Sequence, residues 1–178
     1  MLAALGNSPW TVLAEGVSEQ TSVGIGEVTI AISFVVLALW IPLRQRPGLG
    51  TILNAIVVGI AIGVTLQVVS QQAGRLEIRL ALVAGGIALV GVGSGLYLTS
   101  RLGPGPRDGL MTGLHAKTGR SLRLVRTVIE VAVTVAGAAL GGTVGVGTLA
   151  FALLIGPSVQ LFVGLAGGLA EPARATGG

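Results

Sequence analysis

The stretch Leu5-Gly6-Asn7-Ser8-Pro9-Trp10-Thr11-Val12-Leu13-Ala14-Glu15-Gly16-Val17 decides the fold, because it returns 97 residues later. There it reads Leu102-Gly103-Pro104-Gly105-Pro106-Arg107-Asp108-Gly109-Leu110-Met111-Thr112-Gly113-Leu114. Outward from it the register holds. Thr21 returns as Thr118, and Val28, Ile32, Val36 and Leu43 return as Val125, Ile129, Val133 and Leu140. Gly48, Gly50, Thr51, Ala55 and Gly59 return as Gly145, Gly147, Thr148, Ala152 and Gly156, which makes fifteen ungapped identities in about sixty positions. Glycine and proline, the residues that backbone geometry constrains most, land on each other at loops and helix starts. A period this long predicts two copies of one folding unit rather than a solenoid of short repeats. In a membrane, two such halves are the usual groundwork of a transporter.

Composition supplies the membrane. The chain is 52% hydrophobic and 10% charged, with a mean hydropathy of +0.89, outside the soluble globular range. Its charges are clustered. They leave five apolar runs, at 25–43, 50–70, 80–100, 124–141 and 145–167, close to the roughly 20 residues that cross about 30 Å of hydrocarbon. With no cysteine and one histidine, His115, neither a thiol nor a histidine metal site is expected, and no cofactor is implied. No nucleophile–base pair is visible, and the Gly-Pro-Gly-Pro run lacks the Gly-Lys-Ser/Thr of a P-loop, so an enzyme is not expected. The N-terminal segment lacks the charged start of a cleaved signal peptide. A net charge of +4 needs no nucleic-acid partner, because orientation accounts for it.

Nine of the eleven basic residues fall on alternate segments: Arg44 and Arg46, then Arg101, Arg107, Lys117, Arg120, Arg123 and Arg126, then Arg174. By the positive-inside rule these segments and the C-terminus are cytoplasmic. The N-terminal segment, with Glu15, Glu19 and Glu27, and the 71–79 loop are then external. Equivalent parts of the two copies therefore lie on opposite faces, which is an inverted-topology repeat. The expected division is 1–70 for the first repeat, 71–79 for an external connector, 80–167 for the second repeat and 168–178 for a disordered cytoplasmic tail. The apolar run 80–100 has no counterpart in the first copy. The natural unit is therefore expected to have six spanning helices, with the first absent from this chain. The other reading is a five-helix protein.

Between the spans, Ser8 before Pro9 and Gly105 before Pro106 are N-cap and first-turn pairs that start short helices over 9–20 and 106–117. Two readings stay open. Each segment is an amphipathic helix lying on one leaflet, or a re-entrant half-helix whose N-terminal amides face a central cavity and attract an anion. Arg107 strengthens the second reading, and Asp108 beside it weakens or organises the site. Glu130, inside the fourth run, has Arg126 four residues earlier on its face. The pair is either a local neutralisation or a coupling or gating carboxylate. Asn54 and Gln160 either bond neighbouring helices or line a pore. Glycines four apart, such as Gly59 and Gly63 or Gly137 and Gly141, read as helix packing, and Trp10, Trp40 and Tyr97 as an interfacial aromatic belt.

Several stretches carry a family resemblance. Leu5 to Leu13, Ile41-Pro42-Leu43-Arg44-Gln45-Arg46-Pro47-Gly48-Leu49-Gly50-Thr51, Gly105 to Met111, Arg123 to Thr127 with Glu130, and Gly145 to Thr148 are similar to the YczE/YitT group of bacterial integral membrane proteins. The likeness covers about 5–165 and is nearer the YczE type. It implies a six-helix protein of the bacterial cytoplasmic membrane and brings no substrate with it. The expected fold is therefore an all-α polytopic membrane protein of inverted repeats. The expected function is small-solute transport by alternating access, the solute being unidentified and an anion one reading. The partners are then the lipid bilayer and that solute, with homo-oligomerisation open. The expected pathway residues are Arg107, Asp108, Arg126, Glu130, Asn54 and Gln160, with Ser8, Pro9, Gly105 and Pro106 at the helix starts. The alternative is a membrane scaffold or regulator whose basic loop at 101–126 recruits a partner or anionic lipid.

Overall fold

A computed structural model describes residues 5–68, 75–99 and 102–170, with eight helices among them. In chain order these are α1 (Pro9–Thr21), α2 (Ile25–Ala38), α3 (Trp40–Leu43), α4 (Leu49–Val68), α5 (Leu76–Thr99), α6 (Pro106–Thr118), α7 (Leu122–Ala139) and α8 (Val146–Ala170). Residues 71–74 of the expected connector and 171–178 of the expected tail, and the side chains of Arg123, Tyr97 and Gln160, lie outside the described residues. The residues 25–43, 49–68 and 76–93 form three helical stretches long and apolar enough to cross a membrane. Arg126 and Glu130 interrupt the apolar character of α7.

The 97-residue register of the sequence is also the register of the backbone. Helices α1, α2 and α4 begin at Pro9, Ile25 and Leu49, and α6, α7 and α8 begin at Pro106, Leu122 and Val146. The six described residues with positive φ pair off in the same register: Gly6 with Gly103, Ser22 with Gly119, and Arg44 with Gly141. Each short helix starts on an extended residue followed by proline, Ser8 at φ −62° and Gly105 at φ −60°. Proline suits that place because its missing N–H is one the helix leaves unpaired anyway. Ser8 does not cap with its side chain; its hydroxyl pairs with Thr11 Oγ1 at 2.7 Å.

Packing is set by close approaches at glycine. Gly26 of α2 lies so near Gly59 and Gly63 of α4 that a Cβ would stand 2.7 Å from the Gly59 carbonyl oxygen. Trp40 is 1% exposed, packs its ring against Gly109 of α6, and donates from Nε1 to Pro106 O at 3.0 Å. Its equivalent, Gly137 of α7, is the small partner instead, set against Val12 and Leu13 of α1. Trp10, at 7% exposed, joins Val36, Trp40 and Leu110 in the core. Both tryptophans are thus core residues and not the interfacial belt expected of them. Gly141 is likewise no packing glycine; its φ of +103° turns the chain after α7. On the far side α5 and α8 lie along each other, with Gly91 against Ser158 and Phe162.

Candidate functional site

Burial in both short helices is concentrated toward the N-terminal end and falls away toward the C-terminal end. In α1, Pro9, Trp10, Val12, Ala14 and Gly16 are buried, whereas residues 19–24 are exposed. In α6, Pro106, Gly109, Leu110, Met111 and Gly113 are buried, whereas residues 115–120 are exposed. Both helices therefore enter the protein N-terminus first. That end carries the unpaired amides and the positive end of the helix dipole.

Each entry loop docks on the other copy. Gly147 N donates to Leu5 O at 2.7 Å, and Gly50 N donates to Leu102 O at 2.9 Å. Gly145 N donates to Thr148 Oγ1 and Gly48 N to Thr51 Oγ1, both at 3.1 Å. Thr51 Oγ1 donates onward to Pro104 O at 2.7 Å. Gly6 and Gly103 must be glycine on two counts, since each has positive φ and each touches the backbone of the opposite copy. At the junction the Arg107 guanidinium carbon stands 4.9 Å from the Trp10 ring centroid, a contact worth about 0.5–2 kcal/mol. Trp10 and Arg107 occupy equivalent positions in the 97-residue register. The Trp10 Nε1 is buried without a hydrogen-bond partner.

A cavity of about 590 Å³, open along one side where Leu89 is 73% and Val90 45% exposed, lies at the start of α1. Asn7, Ser8, Thr11 and, from α4, Thr65 are the polar residues of its lining. Val58 and Ile62 of α4, and Leu82 and Ile87 of α5, line its apolar walls. Among the described residues none of its lining is charged. Ser8 thus lines the cavity, and Pro9 is buried behind it. Asn54 is half-exposed on α4, one turn before Val58 on the same helix face. Gly105 and Pro106 are buried, with Trp40 bonded to Pro106. Asp108 is half-buried in the first turn of α6, beside Arg107. Gln160 lies in α8 with its side chain outside the described residues.

Arg126 Nε donates to Glu130 Oε1 at 3.0 Å, so the expected pair is formed along α7. A second polar cluster, around Glu15, is not among the expected pathway residues. Glu15 accepts from Asn7 Nδ2 at 2.7 Å, from Thr143 N at 2.6 Å and from Thr143 Oγ1 at 3.0 Å. It fastens α1 and its entry loop to the turn before α8. A carboxylate in a short helix with no basic residue within two turns is the signal that could have found it, although Glu19 on the same helix carries it too. No group of acidic or histidine side chains able to hold a metal occurs among the described residues.

Comparison with known proteins places this geometry in a context. The model of the family of unknown function DUF6198 matches residues 1–164. An uncharacterized protein of Haemophilus influenzae is 43% identical over 165 residues, which span 93% of this chain and 75% of the relative. The uncharacterized membrane protein YczE of Bacillus subtilis is 31% identical over 86% of this chain and 71% of its own length. The uncharacterized protein YyaS of the same organism is 27% identical over 90% of this chain and 82% of its own. No solved structure matches the chain.

Proposed function

The chain belongs to the DUF6198 family, and from that premise we propose that it is a multi-pass membrane permease for a small solute, working by alternating access between inverted repeats. The observation that carries the reading is the reciprocal docking of the entry loops, Leu5 O on Gly147 N and Leu102 O on Gly50 N. Two copies that exchange identical hydrogen bonds behave as halves related by a two-fold axis. Helices α2, α4 and α5, with α6 as a half-helix, precede α7, so α2 and α7 run in opposite directions across a bilayer. On this reading the axis lies in the membrane plane. The name of the B. subtilis relative and the three long apolar helices support the membrane itself. The charge bias supports a cytoplasmic C-terminus and a bacterial inner membrane.

The cavity at the start of α1 is the proposed solute site. Its lining fits a small uncharged solute whose electron-rich end meets the α1 amides and whose remainder is apolar. The two copies also differ in closure, as alternating access requires. The Gly26–Thr29–Ser33 line of α2 is sealed by α4, while α8 lies on α5 and among the described residues has no comparable packing on α7.

The chain has no cysteine, so a single Ser8→Cys variant gives an unambiguous test. In sealed vesicles of both orientations, a membrane-impermeant maleimide should label it from either side, and a transported solute should protect it. Labelling from one side only, unaffected by a panel of small neutral solutes, would instead favour the scaffold reading. The specific observation behind that reading is the exposure of Lys117 and Arg120 at the end of α6.

A further inference from the structure

A second hollow, of about 590 Å³, lies on the line relating the two copies, because Leu13 and Leu110, Ile32 and Ile129, and Val36 and Val133 all face it in equivalent pairs. Its floor is buried: Trp10 and Leu110 come from the two half-helices, and Val36 from α2. Its rim is open, with Val35 62% and Leu39 48% exposed. It is therefore a groove that opens sideways out of the bundle, between α2 and α7. Apart from Thr21 and Glu27 at one end, its described lining is apolar.

Size decides what the groove can hold. From Glu27 to Leu39 it follows α2 for about 18 Å at 1.5 Å per residue, close to the roughly 15 Å depth of one leaflet's hydrocarbon. A helix from a second copy has a diameter of about 10–12 Å with its side chains. It could reach the buried floor of Trp10, Leu110 and Val36 only with its side chains, because that floor is recessed behind the exposed Val35 and Leu39. An extended hydrocarbon chain is slim enough, and acyl chains are what surround a spanning helix. Charge then orients the chain. Glu27 is exposed at one end of the groove, and among its described lining no basic residue faces it.

We propose that this groove is a lateral lipid site, holding one acyl chain along Ile32, Val36, Ile129 and Val133, with an amine-bearing headgroup at Glu27. The site stands apart from the solute cavity and does not depend on transport.

The test uses the full chain in nanodiscs made with phosphatidylethanolamine that carries a diazirine in one acyl chain. After illumination, adducts should concentrate on the peptides containing Ile32–Val36 and Ile129–Val133. Ala132→Trp fills the groove from its exposed rim without entering the core, and should cut those adducts at least roughly tenfold, the loss expected when two or more methylenes are no longer buried. Ala31→Trp, on the opposite wall, should do the same. Glu27→Gln should keep the adducts but remove the preference for phosphatidylethanolamine over phosphatidylglycerol. Adducts spread equally over exposed Val57 and Leu153, or undiminished in both tryptophan variants, would overturn the site. An unchanged headgroup preference in Glu27→Gln would overturn the role of Glu27, and copy-to-copy crosslinks at Leu39 would show a protein partner there instead.

Discussion

Helices α2 and α7 share one plan and carry it out differently. On α2 the line Gly26, Thr29, Ser33 lies against α4; both hydroxyls turn back to their own helix, Thr29 to Ile25 O and Ser33 to Thr29 O. On α7 the same line reads Arg123, Arg126, Glu130, and α8 packs on α5 instead. Small and self-satisfied side chains allow two helix backbones to touch. Charged ones need each other or water, and hold a neighbouring apolar helix away. The difference teaches that the repeat sets where helices start and turn, while a few side chains per helix choose the partner.

The sharpest way to break the comparison is at the large-and-small pairs. Trp40→Ala should destabilise the protein by about 3–5 kcal/mol, the usual cost of emptying a buried aromatic site, read by thermal unfolding in detergent. Gly26→Leu should cost about 1–3 kcal/mol through overpacking against Gly59, whereas Gly85→Leu on α5, where a Cβ meets nothing within 4 Å, should change little. A further variant rewrites the second copy as the first. Arg126→Thr with Glu130→Ser should let α8 seat on α7, and a disulfide between Thr127→Cys and Gly156→Cys should then form. Those positions are the equivalents of Ile30 and Gly59, which touch in the first copy. Absence of the disulfide would mean that the charges do not hold the helices apart. The smallest effect runs the other way. Ser22 and Arg44 hold left-handed conformations, at φ 57° and 53°, where the second copy has glycine. Replacing either by glycine should stabilise by about 1 kcal/mol, seen as a raised Tm.

Much of this was legible in advance, and the reason is local. Helix starts, turns and the 97-residue register are written in glycine and proline, whose constraints act within a few residues. The runs fixed the helices to within a few residues, although α5 begins at Leu76 rather than 80. Partner choice was not legible, because lipid and protein core are equally apolar and hydropathy does not separate them. That is why Trp10 and Trp40 read as interfacial aromatics and proved to be core. The Glu15 clamp joins residues 128 apart in sequence, a distance over which no local pattern speaks. The Arg126–Glu130 pair is four residues apart on one helix, and was legible for that reason.

The alternation of Trp40 over Gly109 with Gly137 under Val12 has a consequence for how such a chain can be assembled. Two copies of the first half alone would press Trp40 onto Val12, where only a glycine leaves room. Two copies of the second half would set Gly137 against Gly109 and leave a void, with two Arg107 guanidinium groups facing each other across the axis. Each half is the mould of the other and not of itself. Bulk and charge are divided between the two halves, so neither can be replaced by a second copy of its twin.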